Sequence, residues 1–202
     1  MFSFFKKTKP SPPRASLDDV DLHLADIAGA VESAEGMPRV EWRCVRKAAE
    51  AFGTHPAIDQ IWTELAAQWL GMLRRRLGPP YEIFESNHLL LLSHQEPGPA
   101  RRLLEIGDAA YDRLERMLER APDARGFGKH AVLQFQNSSA YYDYVSYFHS
   151  DRDRPYGASA GMHISRGYRH TVLNGSRFDT IRTLVHELAH DMVAGRPLPL
   201  WL

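Results

Sequence analysis

From Ser16 to about Gly78 apolar positions recur every three or four residues, the period of an amphipathic helix. "SLDDVDLHLADIAGAVE" sets Val20, Leu24, Ile27 and Val31 at that spacing. Ser16 stands ahead of them as an N-cap, and acidic residues fill the first turn. "RVEWRCVRKAAEAF" predicts a second helix that ends at Gly53. A third begins after Thr54, with Pro56 near its first turn and Ile58, Ile61, Leu65, Trp69 and Met72 as its apolar face. The triplet Arg74–Arg76 falls at that helix's C-terminus, where the dipole favours a solvated basic face. Gly78, Pro79 and Pro80 then stop the pattern. Residues 16–78 are expected to form a helical subdomain, and residues 1–15, extended by Pro10, Pro12 and Pro13, a disordered tail.

Beyond the Pro-Pro break the period shortens. "YEIFESNHLLLLS" reads as strand with a turn at Ser86-Asn87, a hairpin pattern. "PARRLLEIGDAAYDRLERMLER" is an amphipathic helix with Leu103, Leu104, Ala110, Tyr111, Leu114 and Leu118 near one face. "KHAVLQFQ" predicts a short buried strand, and "SSAYYDYVSYFHS" a helix starting near Ser138 or Ser139. "GASAGMHISRGYRHTVLN" suits one or two strands with a turn near Arg166-Gly167, and a last helix covers residues 180–194. Strands alternating with helices in this order predict an α+β fold, a mixed sheet with helices packed on it. There is no internal repeat.

Composition narrows the function classes. The 202 residues are 44% hydrophobic and 25% charged with zero net charge, the make-up of a chain that buries a core. No basic stripe with interleaved aromatics points to nucleic acid. No apolar run reaches the roughly 18 residues of a membrane span. "MFSFFKKTKPSPPR" puts its apolar residues ahead of its lysines, the reverse of a secretory signal. The single cysteine, Cys44, fits a reducing compartment and reads as a buried thiol. The expectation is a cytoplasmic protein.

The chemistry concentrates in the last helix, which spells His-Glu-x-x-His. At about 100° per residue, Ile181, Leu184, Val185, Leu188 and Met192 gather on one side. His186 and His190 project from the other, flanked by Glu187. Asp179 serves as the N-cap, and Gly195 followed by Pro197 ends the helix. Imidazoles at i and i+4 are neighbours on a helix surface, close enough to share one zinc ion. Glu187, beside the first histidine, can take a proton from an activated water without binding the metal. A catalytic zinc takes three protein ligands and a water. Asp191 lies about 100° round the helix from His190 and is poorly aimed at the same ion, though it can hydrogen-bond a neighbour. His163 and His170 can approach from the strand pair; His130 and His149 have less to recommend them.

These residues resemble those of a known group. "HELAHDMVAGRPLPLWL" is similar to the gluzincin pattern, in which His-Glu-x-x-His is followed by Trp-Leu-x-Glu-Gly. Aminopeptidases of that branch carry it, as do many bacterial hypothetical proteins with a peptidase MA-like domain. "HAVLQFQNSSAYYDYVSYF" and "YGASAGMHISRGYRHTVL" also resemble the strand, Tyr-rich helix and Gly-rich strand pair of the latter. The resemblance covers roughly residues 81–202. It implies a zincin-like metallopeptidase domain with His186 and His190 as zinc ligands and Glu187 as general base. The group's third ligand, the glutamate after Trp-Leu, would follow Leu202 and has no counterpart here. The domain is therefore expected to be cut short before that ligand. Tyr141, Tyr142, Tyr144, Tyr147 and Tyr168 precede the motif helix, unlike the group's oxyanion tyrosine, and read as packing and surface aromatics.

Two main expectations follow, with a zinc hydrolase acting on something other than peptides as a weaker third that the motif does not discriminate. One is a zinc-dependent hydrolase of peptide bonds acting on a peptide or protein substrate, with activity limited by the missing ligand. The other is a non-catalytic scaffold that keeps the peptidase architecture and binds partners through its helical N-terminal part. The apolar "LPLWL" segment adds possible self-association.

Overall fold

The computed structural model describes residues 22–32, 36–53, 57–117, 128–148, 159–175 and 179–194. The expected tail 1–15, Pro56, Leu118, His149 and the "LPLWL" segment lie outside them.

Where a first helix is expected, the described residues 22–32 form turns and a short strand β1 (Val31–Glu32), antiparallel to β2 (Arg39–Val40). Long-range contacts override the local period here. Gln68 accepts a hydrogen bond from the Leu24 backbone N–H (2.8 Å) and donates to the Leu22 carbonyl (3.2 Å). Gly29, at φ +73°, takes a left-handed conformation that a continuous helix does not contain. Leu24 and Ala30 are buried all the same. The second predicted helix is shorter than its pattern. α1 spans Trp42–Ala49, capped by the Glu41 carboxylate on the Arg43 N–H, and a single 3-10 turn at Glu50–Phe52 follows. α2 (Ile58–Leu77) runs as predicted and buries Ile61, Leu65, Trp69, Leu70 and Leu73.

The hairpin is β3 (Glu82–Glu85) and β4 (Leu89–Ser93), antiparallel. Asp108 holds its turn, accepting from the Ser86 hydroxyl and from the backbone N–H groups of Asn87 and His88. Asp108 belongs to α3 (Pro97–Met117). β5 (His130–Phe135) leads to α4 (Ser138–Val145), whose N-cap is Asn137. β6 (Gly161–Ile164) and β7 (His170–Asn174) then form an antiparallel pair. Gly167, at φ +72°, turns the chain between them. α5 (Thr180–Val193) carries the motif.

Five strands make one mixed sheet in the order β3-β4-β5-β7-β6, with β4, β5 and β7 mutually parallel and the outer pairs antiparallel. The fold is α+β, as the alternation of elements predicts. Side chains alternate across the sheet. Leu89, Leu91, Val132 and Leu173 point to a layer formed by α3 and α5. Leu90, Leu92, Ala131, Leu133, Phe135 and Val172 point to the other, where residues of α1, α2 and α4 complete the core. The described part of 16–78 thus shares a single core with the sheet. The Gly78–Pro80 break divides the chain but not the packing. Cys44 is half-buried against this core, short of the full burial expected of it.

Candidate metal centre

Helix α5 is positioned at its N-terminus and along one face. Asp179 accepts from the Arg182 N–H with its carboxylate (3.1 Å), as an N-cap should, and its carbonyl accepts from the Thr183 hydroxyl. Leu184 and Leu188 are fully buried against α3 and the sheet. The glycines at the helix's flanks permit close approach. A Cβ on Gly107 of α3 would meet Leu89 and Leu184, and one on Gly161 of β6 would meet Thr183. The buried stripe differs from the sequence expectation by part of a turn. Ile181 is 44% exposed, whereas Glu187 and Asp191 are buried beside the two leucines. The reason is chemical: α5 lies over a polar row on the sheet that accepts Asp191.

His186 and His190 are exposed on the outward face, with their Nε2 atoms 3.0 Å apart and their rings edge to face. Two nitrogens at about 2.05 Å from a tetrahedral ion would lie about 3.3 Å apart, so this spacing fits a shared zinc with little adjustment. Glu187 lies between them in sequence and is 8% exposed, held against the body of the protein beside the pair. The donor set fits two-thirds of a catalytic zinc site and its general base. Among the described residues no group of three His, Cys, Asp or Glu side chains is arranged to hold a metal ion.

The histidines considered as third ligands have other employment. His170 points into the opposite core, between Trp69 and Phe148. The Tyr168 carbonyl can only accept, so His170 carries its proton on Nδ1 and donates to it (2.6 Å). Its Nε2 then accepts from the Tyr144 hydroxyl (2.8 Å). Burial pushes His170 down to about 3, which keeps it neutral. His130 and His163 do face α5, stacked 6.2 Å apart, but around Asp191 and not around the motif pair. The Asp191 carboxylate lies 3.3 Å from His130 Nδ1, 3.5 Å from Arg169 and 3.8 Å from His163 Nε2. Burial alone would raise Asp191. The hydrogen bond and charge of His130, with Arg169 and His163, overcome that and hold its carboxyl well below the usual range. Arg169 sets a fixed positive charge against this cluster, which disfavours a cation there. Asp191 instead ties the motif helix to the sheet. Both ring nitrogens of His163 are buried without a hydrogen-bond partner.

The motif itself does not mark His130 and Arg169 as members of this anchor. Strand alternation carried the signal, since Val132, Thr171 and His163 lie side by side on the α5 face and His130 is two residues from Val132. Tyr141, Tyr144 and Tyr168 are core residues and Tyr147 is a surface one, as expected. No family model, no curated protein and no solved structure matches the chain, so the centre is read from its own geometry. Among the described residues no helix is long and apolar enough to cross a membrane.

Proposed function

We propose that this chain is a zinc-dependent hydrolase of the metallopeptidase type, with His186 and His190 as metal ligands and Glu187 as general base. The observation that carries the reading is the 3.0 Å approach of the two Nε2 atoms on an exposed, rigidly anchored helix face beside Glu187. A zinc ion held there supplies the Lewis acidity that acidifies water and polarises a carbonyl. The chain's own contribution is positional. Leu184, Leu188 and Asp191 fix the helix, so both imidazoles are presented in one orientation. The Glu187 carboxylate takes a proton from the attacking water and returns it to the leaving nitrogen. Peptides or proteins are the proposed substrates, on the strength of the motif's resemblance. The third ligand is proposed to come from outside the described residues or from another chain.

A second reading, a non-catalytic scaffold, is favoured by the lack of a third ligand among the described residues. Metal analysis separates the two. The chain, H186A and E187Q are purified without added metal, and zinc and hydrolysis of an unstructured peptide are measured. Stoichiometric zinc that H186A loses and E187Q keeps, with hydrolysis lost in both variants, is the expected result. A wild-type chain without zinc, or with zinc and no hydrolysis, leaves the scaffold reading standing.

A further inference from the structure

A cavity of about 750 Å³ among the described residues does not include the histidine pair. It lies on the opposite side of the sheet, between the β2–α1 segment and the end of α4, closed below by the β6–β7 turn. Its volume falls within the range of small-molecule sites. The floor is aromatic: Trp69, Tyr144 and Phe148 surround the neutral ring of His170. The rim is basic, with Arg39, Arg43, Arg46, Arg76 and Arg166 converging from four separate segments. Glu41 and Asp143 are the acidic residues among them.

Three of these arginines are engaged. Arg43 binds the Glu41 carboxylate, Arg39 lies over the Tyr147 ring at 4.1 Å, and Arg76 donates to the Gly36 carbonyl. Arg46 and Arg166 have no ion-pair partner among the described residues, and they reach the cavity from α1 and from the β6–β7 turn. Trp42 holds those two elements together. Its ring packs 5.0 Å from Tyr168 and 5.6 Å from Trp69, and a Cβ on Gly167 would strike it. The cavity wall is therefore braced, and two arginines carried on braced elements line it together with the aromatic floor.

We propose that this cavity is a binding site for a small aromatic anion, a flat ring bearing a phosphate, sulfonate or carboxylate. The ring stacks on the aromatic floor, and the anionic group is received by Arg46 and Arg166, whose planar forks suit oxyanions. The site gives the N-terminal helical segment a role that its sequence does not disclose: it supplies one wall and Arg46. It is independent of the histidine pair and stands or falls separately from it.

Calorimetric titration of the full chain with phenyl phosphate tests the proposal, with phenol and inorganic phosphate as its two halves. Phenyl phosphate should bind saturably and more tightly than either half, and high salt should weaken it. The double variant R46A/R166A, checked by circular dichroism for an intact fold, should lose at least about tenfold in affinity. D143N removes an exposed negative charge from the rim and should tighten binding severalfold. Three results overturn the proposal: no saturation with phenyl phosphate, equal binding by the folded double variant, or inorganic phosphate binding as tightly as phenyl phosphate.

Discussion

His170 is fully enclosed, with one ring nitrogen donating to a carbonyl and the other accepting from Tyr144, so protonation would break a bond and bury a charge. Its folded-state value is near 3, against 6.5 for an ordinary histidine. Below pH 6.5 the unfolded chain takes up a proton that the folded chain refuses. The stability this residue contributes is thus whole above pH 6.5 and falls as the pH drops toward 3. The slope approaches about 1.4 kcal/mol per pH unit, and the loss amounts to roughly 2 kcal/mol between pH 7 and pH 5. H170Q retains the hydrogen-bonding shape without the titration. Urea unfolding at pH 7 and pH 5 should show a clearly smaller loss for H170Q than for the wild type. Equal losses would mean that other groups carry the acid sensitivity. His163, also lowered by burial, leaves the variant a residual slope in the same direction.

At the scale of elements, α5 depends on its N-cap residue. Asp179 caps the helix and sits at φ +78°, a conformation that most residues adopt only with strain. Alanine there loses the cap and keeps the strain, whereas glycine loses the cap's hydrogen bond but relieves the strain. D179A should cost about 1–2 kcal/mol and D179G distinctly less. Urea midpoints of the two variants decide it, and a glycine variant as unstable as alanine would remove the left-handed backbone from the account. Elements of this kind were legible in the sequence. α2, α3, the hairpin and α5 announce themselves through local period, caps and turn residues. The segment before Gly29 was not, because Gln68 of a distant helix takes its backbone hydrogen bonds. The pairing of Asp191 with His130 and His163 was hidden for a related reason. Strand alternation names a face, but only the stacking order of layers says that α5 covers it. The arginine cavity is harder still, since its residues come from separate segments that no single motif joins.

For the whole molecule, the question is whether the helical N-terminal part is a separate body. Its buried leucines, Leu65, Leu70 and Leu73, lie in one core with Leu90, Leu92, Leu133 and Val172 of the sheet. Removing residues before Gly78 would strip α1 and α2 from that sheet face and leave α4 covering part of it. Apolar side chains of this size are each worth about 1.5–3 kcal/mol when buried, so the loss exceeds the whole stability of an ordinary domain. Unfolding should therefore be a single cooperative event. Trp42, Trp62 and Trp69 are the tryptophans of the N-terminal part, so their fluorescence reports on it, while far-ultraviolet circular dichroism reports on all elements. The two urea transitions should coincide, and a chain beginning at Tyr81 should fail to unfold cooperatively. Two separated transitions, or a stably folded 81–202 fragment, would mean that the sheet closes its face without α2. In that case the helical layer would be an attachment to the half that carries the sheet and α5, and no part of its core.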